Sequence, residues 1–128
     1  MTRTAVTLLF LLSGCGLVPT INSSEPVAGW PTLIISEHRV SSLEMRNVCA
    51  KYASDPLATV MACSLFNLPR RECHIYVDAD FFSPAILAHE VGHCNGYPHL
   101  FDGTRAQMER MVAMFNRLRR AAQQEGSQ

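Results

Sequence analysis

The apolar positions of the chain change period several times along its length, and each change marks an element. Ala5 to Leu12 is an apolar core interrupted only by Thr7, too short to span a bilayer as a helix. From Gly16 to Pro31 prolines, glycines and small polar residues break any period, as in a tether. "TLIISEHRV", Thr32 to Val40, is a β-branched run that predicts a strand. Ser41 with Glu44 forms a capping box, opening a helix over Ser42 to Ala53 that Asp55-Pro56 stops. "ATVMACSLF" and "ECHIYVD" flank "NLPRR" and predict a hairpin. In its second strand Cys73, Ile75 and Val77 share one face, and His74, Tyr76 and Asp78 the other. Ser83-Pro84 opens a further helix that must end near Gly96. After a turn at Asp102-Gly103, Thr104 with Gln107 reads as a second capping box. The last helix then runs to Ala122. Its apolar stripe is Met108, Met111, Val112, Phe115, Leu118 and Ala122, with Arg105, Arg110, Arg117 and Arg120 largely on the solvated side. Strand, helix, hairpin and two helices make a small α+β domain.

With 128 residues there is room for one domain, and eleven basic against eleven acidic side chains give no footprint for nucleic acid. At 48% apolar and 17% charged residues, the chain has the composition of a globule. The start, "MTRTAVTLLFLLSGC", has Arg3 before the apolar run and closes on Leu12-Ser13-Gly14-Cys15, which resembles a bacterial lipoprotein lipobox. That resemblance implies a signal peptide over 1–14, acylation of Cys15 and a lipidated tether over 15–31. Multiple acyl chains on one residue give stable anchoring. Gly16, in place of the aspartate that retains many such proteins at the inner membrane, implies an outer-membrane lipoprotein facing the periplasm. The folded domain is then 32–128, small enough to need a staple or a metal.

Without Cys15 four cysteines remain, Cys49, Cys63, Cys73 and Cys94, an even number in an oxidising compartment. Two disulfides follow, with three connectivities open. Cys63 with Cys73 suits a cross-hairpin bridge if the loop has three residues, which leaves Cys49 for Cys94. A cysteine metal site is disfavoured because no C-x-x-C pair exists.

The chemistry is concentrated in "AHEVGHCNGYPH", Ala88 to His99. On a helix His89 and His93 are about 40° apart, one turn along the same face, so both imidazoles can reach one ion. Glu90 then lies within reach of the open side of that ion, where a carboxylate can relay protons. Leu87, Val91 and Cys94 fall on a separate, core-facing side. A continued helix would carry His99 about 15 Å from His89. Gly96 can adopt the left-handed conformation that ends the helix, and Pro98 discourages its resumption, so the chain can return His99 to the ion. Three protein ligands leave a fourth position, the catalytic pattern for zinc. Asp102 and Glu109 are near enough in sequence to compete with His99 as third ligand. His38 and His74 have no ligand spacing, and Tyr97 is either packing or an oxyanion donor.

His89-Glu90-Val91-Gly92-His93-Cys94-Asn95-Gly96-Tyr97-Pro98-His99 resembles H-E-x-x-H-x-x-G-x-x-H, the signature of the metzincin zinc peptidases. The resemblance implies a zincin-like fold, one Zn²⁺ held by His89, His93 and His99, Glu90 as general base, and a peptide or protein substrate. It also implies that Thr59 to Phe66 is an edge strand that pairs with extended substrate. The chain departs from the family in two respects: Met108, Met111 and Met114 lie on a predicted helix rather than in a tight turn, and the segment after the motif is short. Two other functions fit the same residues, a non-catalytic zinc-binding lipoprotein and an amidase acting on cell-wall peptides.

Overall fold

The computed structural model describes residues 22–49, 60–100 and 103–127. Cys15 and the signal-like segment, the Asp55-Pro56 stop, Thr59 and Asp102 lie outside these residues. The fold is α+β, with the elements in the expected order: β1 (Ile34–Val40), α1 (Ser42–Cys49), β2 (Ala62–Asn67), β3 (Glu72–Asp78), α2 (Pro84–Cys94) and α3 (Thr104–Glu125). Among the described residues no helix is long and apolar enough to cross a membrane.

β3 is the middle strand of a three-stranded sheet ordered β1-β3-β2. It pairs in parallel with β1 and antiparallel with β2, which among the described residues is thus an edge strand. The alternation of β3 explains the layering. Cys73, Ile75 and Val77 have no exposed surface and face α2, where Leu87, Val91 and Cys94 complete the core as their helical spacing requires. On the other face Tyr76 meets Met45 and Cys49 of α1 together with Cys63. The Ser41 hydroxyl accepts from the Glu44 amide at 3.3 Å, the cap expected at the start of α1.

Both disulfides differ from the expected pairing. Cys49 bonds Cys63, and Cys73 bonds Cys94. The reason is hairpin register. Leu68 to Arg71 form a four-residue turn in which Arg71 has φ 56°, so Asn67 pairs with Glu72 and Phe66, not Cys63, stands opposite Cys73. Cys63 stands opposite Tyr76, three positions away, and an odd shift turns a side chain to the other face of the sheet. Each bond therefore ties a different face to its own helix. With sequence separations of 14 and 21, each contributes about 3 kcal/mol in the chain-entropy picture.

Two further expectations are corrected. The tether does not extend to Pro31: the Val27 amide donates to the Gly96 carbonyl at 2.8 Å, and Trp30 Nε1 donates to the Cys94 carbonyl at 2.9 Å. Val27 itself is buried against Met108 and Val112 of α3. Nor does Thr104 cap α3. Gly103, at φ 77°, occupies the cap with no side-chain bond, and Thr104 is already helical. The apolar stripe of α3 is buried at Met108, Val112 and Phe115, while Leu118 is 54% exposed.

Candidate metal centre

α2 begins where Ser83 accepts from the Ile86 amide at 3.2 Å, with Pro84 at the first helical position. It ends one residue after His93, and its ending builds the site. Gly96, at φ 91°, lets the Gly96 amide reach the His93 carbonyl at 2.9 Å and the Tyr97 amide reach the Gly92 carbonyl at 3.0 Å. This pair of bonds is a Schellman closure, which needs a residue tolerant of positive φ. Once turned, the chain presents the Tyr97 carbonyl to His93 Nδ1 at 2.7 Å and carries His99 back alongside the helix. A carbonyl only accepts, so His93 Nδ1 holds the proton and Nε2 keeps its lone pair for a ligand role.

The structure brings His89, His93 and His99 together, all three buried, as a group that can hold a metal ion. Their Nε2 atoms form a triangle with edges of 3.1 Å (His89 to His93), 3.0 Å (His93 to His99) and 3.0 Å (His89 to His99). Ring orientation separates a shared ion from mutual hydrogen bonds. Nitrogens at that spacing, each about 2.0–2.1 Å from one ion, put the ring centres about 4.7 Å apart. A head-to-head N–H···N bond of about 3 Å puts them about 5.3 Å apart. Two pairs, His89 with His93 and His93 with His99, have centres 4.6 and 4.5 Å apart, as for rings converging on a point, and His89 with His99, at 5.0 Å, lies between the two values. An internal contrast is provided by His38 and His74. Their nitrogens are also 3.0 Å apart, but their ring centres are at 5.3 Å, so these two histidines share a hydrogen bond across β1 and β3.

Glu90 has no exposed surface. The Ser64 hydroxyl of β2 donates to its Oε2 at 2.6 Å and lies 3.1 Å from its backbone carbonyl. Oε1 is buried without a partner among the described residues. Burial raises the Glu90 carboxyl to about 7, and the Ser64 bond offsets only part of this. In the metal-free protein the unfolded chain releases this proton near 4.5, whereas the folded chain holds it to about 7. The stabilisation is complete below 4.5 and is lost as pH rises through 7, a change on the order of 3 kcal/mol. Urea titrations of metal-free parent and Glu90→Gln proteins at several pH values should show the parent losing that much relative to the variant. Parallel curves would remove Glu90 as the cause.

Four supporting residues were not assigned to the site by the sequence pattern. Ser64 is one. Thr104 is another, its Oγ1 3.4 Å from His99 Nδ1. Asn22 donates from Nδ2 to the His89 carbonyl at 3.1 Å, and its backbone bridges to His99. Trp30 lies against Gly96, where an added Cβ would fall 2.7 Å from the indole Cγ. Arg105, expected on the solvated side, donates to Ser23 Oγ and the Glu25 carbonyl at 2.9 and 2.8 Å. Glu109 is exposed on α3 and outside the histidine group. Tyr97 contributes its carbonyl. No protein-family model, curated protein or solved structure matches the chain.

Proposed function

We propose that the chain is a zinc metallopeptidase with a zincin-like site, anchored as a lipoprotein through Cys15 and facing the periplasm. The observation that carries this reading is Glu90, the neighbour of His89 on α2, buried with one carboxylate oxygen fixed by Ser64 and the other without a partner among the described residues. A metal held only for structure has no need of such a group. An all-imidazole donor set suits zinc and leaves a fourth position. When bound, the metal would supply the Lewis acid that polarises a scissile carbonyl and acidifies water.

The residues of the chain do the rest. Ser64 fixes Oε2, so Oε1 is the atom that takes a proton from the attacking water and returns it to the leaving amine. The Tyr97 carbonyl and Thr104 hydroxyl orient His93 and His99 through their other ring nitrogens. Among the described residues β2 has β3 on one side only, so its other edge is the place for an extended peptide to add as a strand.

A second reading, a zinc-binding lipoprotein without turnover, is favoured by how little of the site reaches the surface: His99 is the most exposed of the four residues, at 9%. The readings separate on one preparation. Elemental analysis should find about one zinc per mature chain, sharply reduced in His99→Ala. Full zinc in that variant, with loss in Asp102→Ala, would transfer the ligand role to Asp102. The loaded protein should cleave members of a broad peptide library, stop on chelation and recover with added zinc. Cleavage of cell-wall peptides alone would identify an amidase. Stoichiometric zinc with no cleavage of either class would establish the binder.

A further inference from the structure

The three ligands are not held equally. His89 and His93 are fixed by the hydrogen bonds of α2, whereas His99 sits beyond the helix on a short return. A segment from the far end of the chain secures that return. The Ser23 amide donates to the Pro98 carbonyl at 2.8 Å, Asn22 bridges to His99, and the Val27 amide donates to the Gly96 carbonyl at 2.8 Å. The segment is itself backed by α3, through Arg105 on Ser23 and Glu25 and through Val27 on Met108 and Val112. Asn22 occupies the junction. Its backbone meets His99 and its amide meets the His89 carbonyl, so one residue links the helical ligand to the returning one. The fit is close: a Cβ on Gly92 would lie 2.6 Å from Asn22 Nδ2. Gly92 occupies an unspecified position of the motif, and it is the position Asn22 requires to be small.

We infer that Asn22 is a positioning residue of the metal centre and that Asn22–Trp30 is a strap coupled to metal occupancy. The strap narrows the positions open to His99, so it tightens the ion. By thermodynamic reciprocity the ion tightens the strap by the same factor. Occupancy of the centre is thereby felt at Asn22, where the chain leads back towards Cys15. This depends on metal binding by the three histidines and not on hydrolysis.

The test uses zinc alone with the full mature chain. Competition against a chromophoric chelator should give about 10–100-fold weaker zinc binding in Asn22→Ala. Cobalt-loaded Asn22→Ala should also show shifted visible bands, which a loss of stability alone would not produce. Gly92→Ala should weaken zinc in the parent by displacing Asn22. In the Asn22→Ala background the same change should weaken it no further, and the melting temperature should rise as alanine replaces a helical glycine. Hydrogen exchange at the Ser23 and Val27 amides should slow at least 10-fold on adding zinc to the parent, and not in His99→Ala. A parent that binds no zinc would overturn the metal centre and the strap together. Zinc affinity unchanged in Asn22→Ala, additive effects of the two substitutions, or amides indifferent to zinc would overturn the strap alone.

Discussion

Glu90→Gln is expected to leave zinc content and fold intact and to lower hydrolysis by about 10²–10⁴-fold. The side chains are nearly the same size, so the buried site needs no repacking. The amide oxygen can still accept from Ser64, preserving the contact that joins β2 to α2. Glutamine carries no charge to desolvate, so the metal-free variant should be at least as stable as the parent at neutral pH. It cannot accept a proton, and the lost factor is equivalent to about 3–5 kcal/mol of barrier. Single-turnover cleavage of a peptide selected on the parent, with zinc measured in the same samples, is the appropriate comparison. Equal rates would show that another group moves the proton.

Gly96→Ala should damage both fold and site. An alanine at φ 91° is strained by about 1–2 kcal/mol. Its Cβ would also lie 2.7 Å from Trp30 Cγ and 2.9 Å from Cβ and Cδ1, so the indole must move. Displacement endangers the bond from Trp30 Nε1 to the Cys94 carbonyl, and a total of about 2–4 kcal/mol is expected. At about 4–8 °C per kcal/mol for a domain of this size, the melting temperature should fall by about 8 °C or more. Zinc should be lost as well, because the same turn carries the Tyr97 carbonyl and His99. A variant that melts with the parent and retains its zinc would refute this account of the turn.

Local signals were legible where a few neighbouring residues decide the structure. Ser41, Ser83-Pro84 and Gly96 each specify a helix end through their own backbone or side chain, and each acts in the structure as its type requires. The periods of β3 and α2 likewise revealed which faces meet. Pairings that depend on register or on distant partners were not legible. The cysteine pairing turned on whether the hairpin loop held three or four residues, a question "NLPRR" leaves open. Thr104 satisfied a capping pattern, yet Gly103 took the cap and Thr104 turned to His99. Residues 22–31 read as a tether because backbone amides and one tryptophan hold them to partners some 70 positions away, which composition does not record. Trp30, the sole tryptophan of the chain, was the available clue, since an indole in a polar stretch is costly unless covered.

The disulfides join neighbours in chain order, Cys49 to Cys63 and then Cys73 to Cys94. A chain threaded N-terminus first into an oxidising compartment therefore meets each correct partner as the next cysteine to emerge. The first bond can close before Cys73 arrives. Cys15 is the one earlier thiol able to intercept Cys49, and acylation at Cys15 would remove it from the exchange. Such a chain should mature with an oxidase that links consecutive cysteines, without an isomerase to reshuffle them.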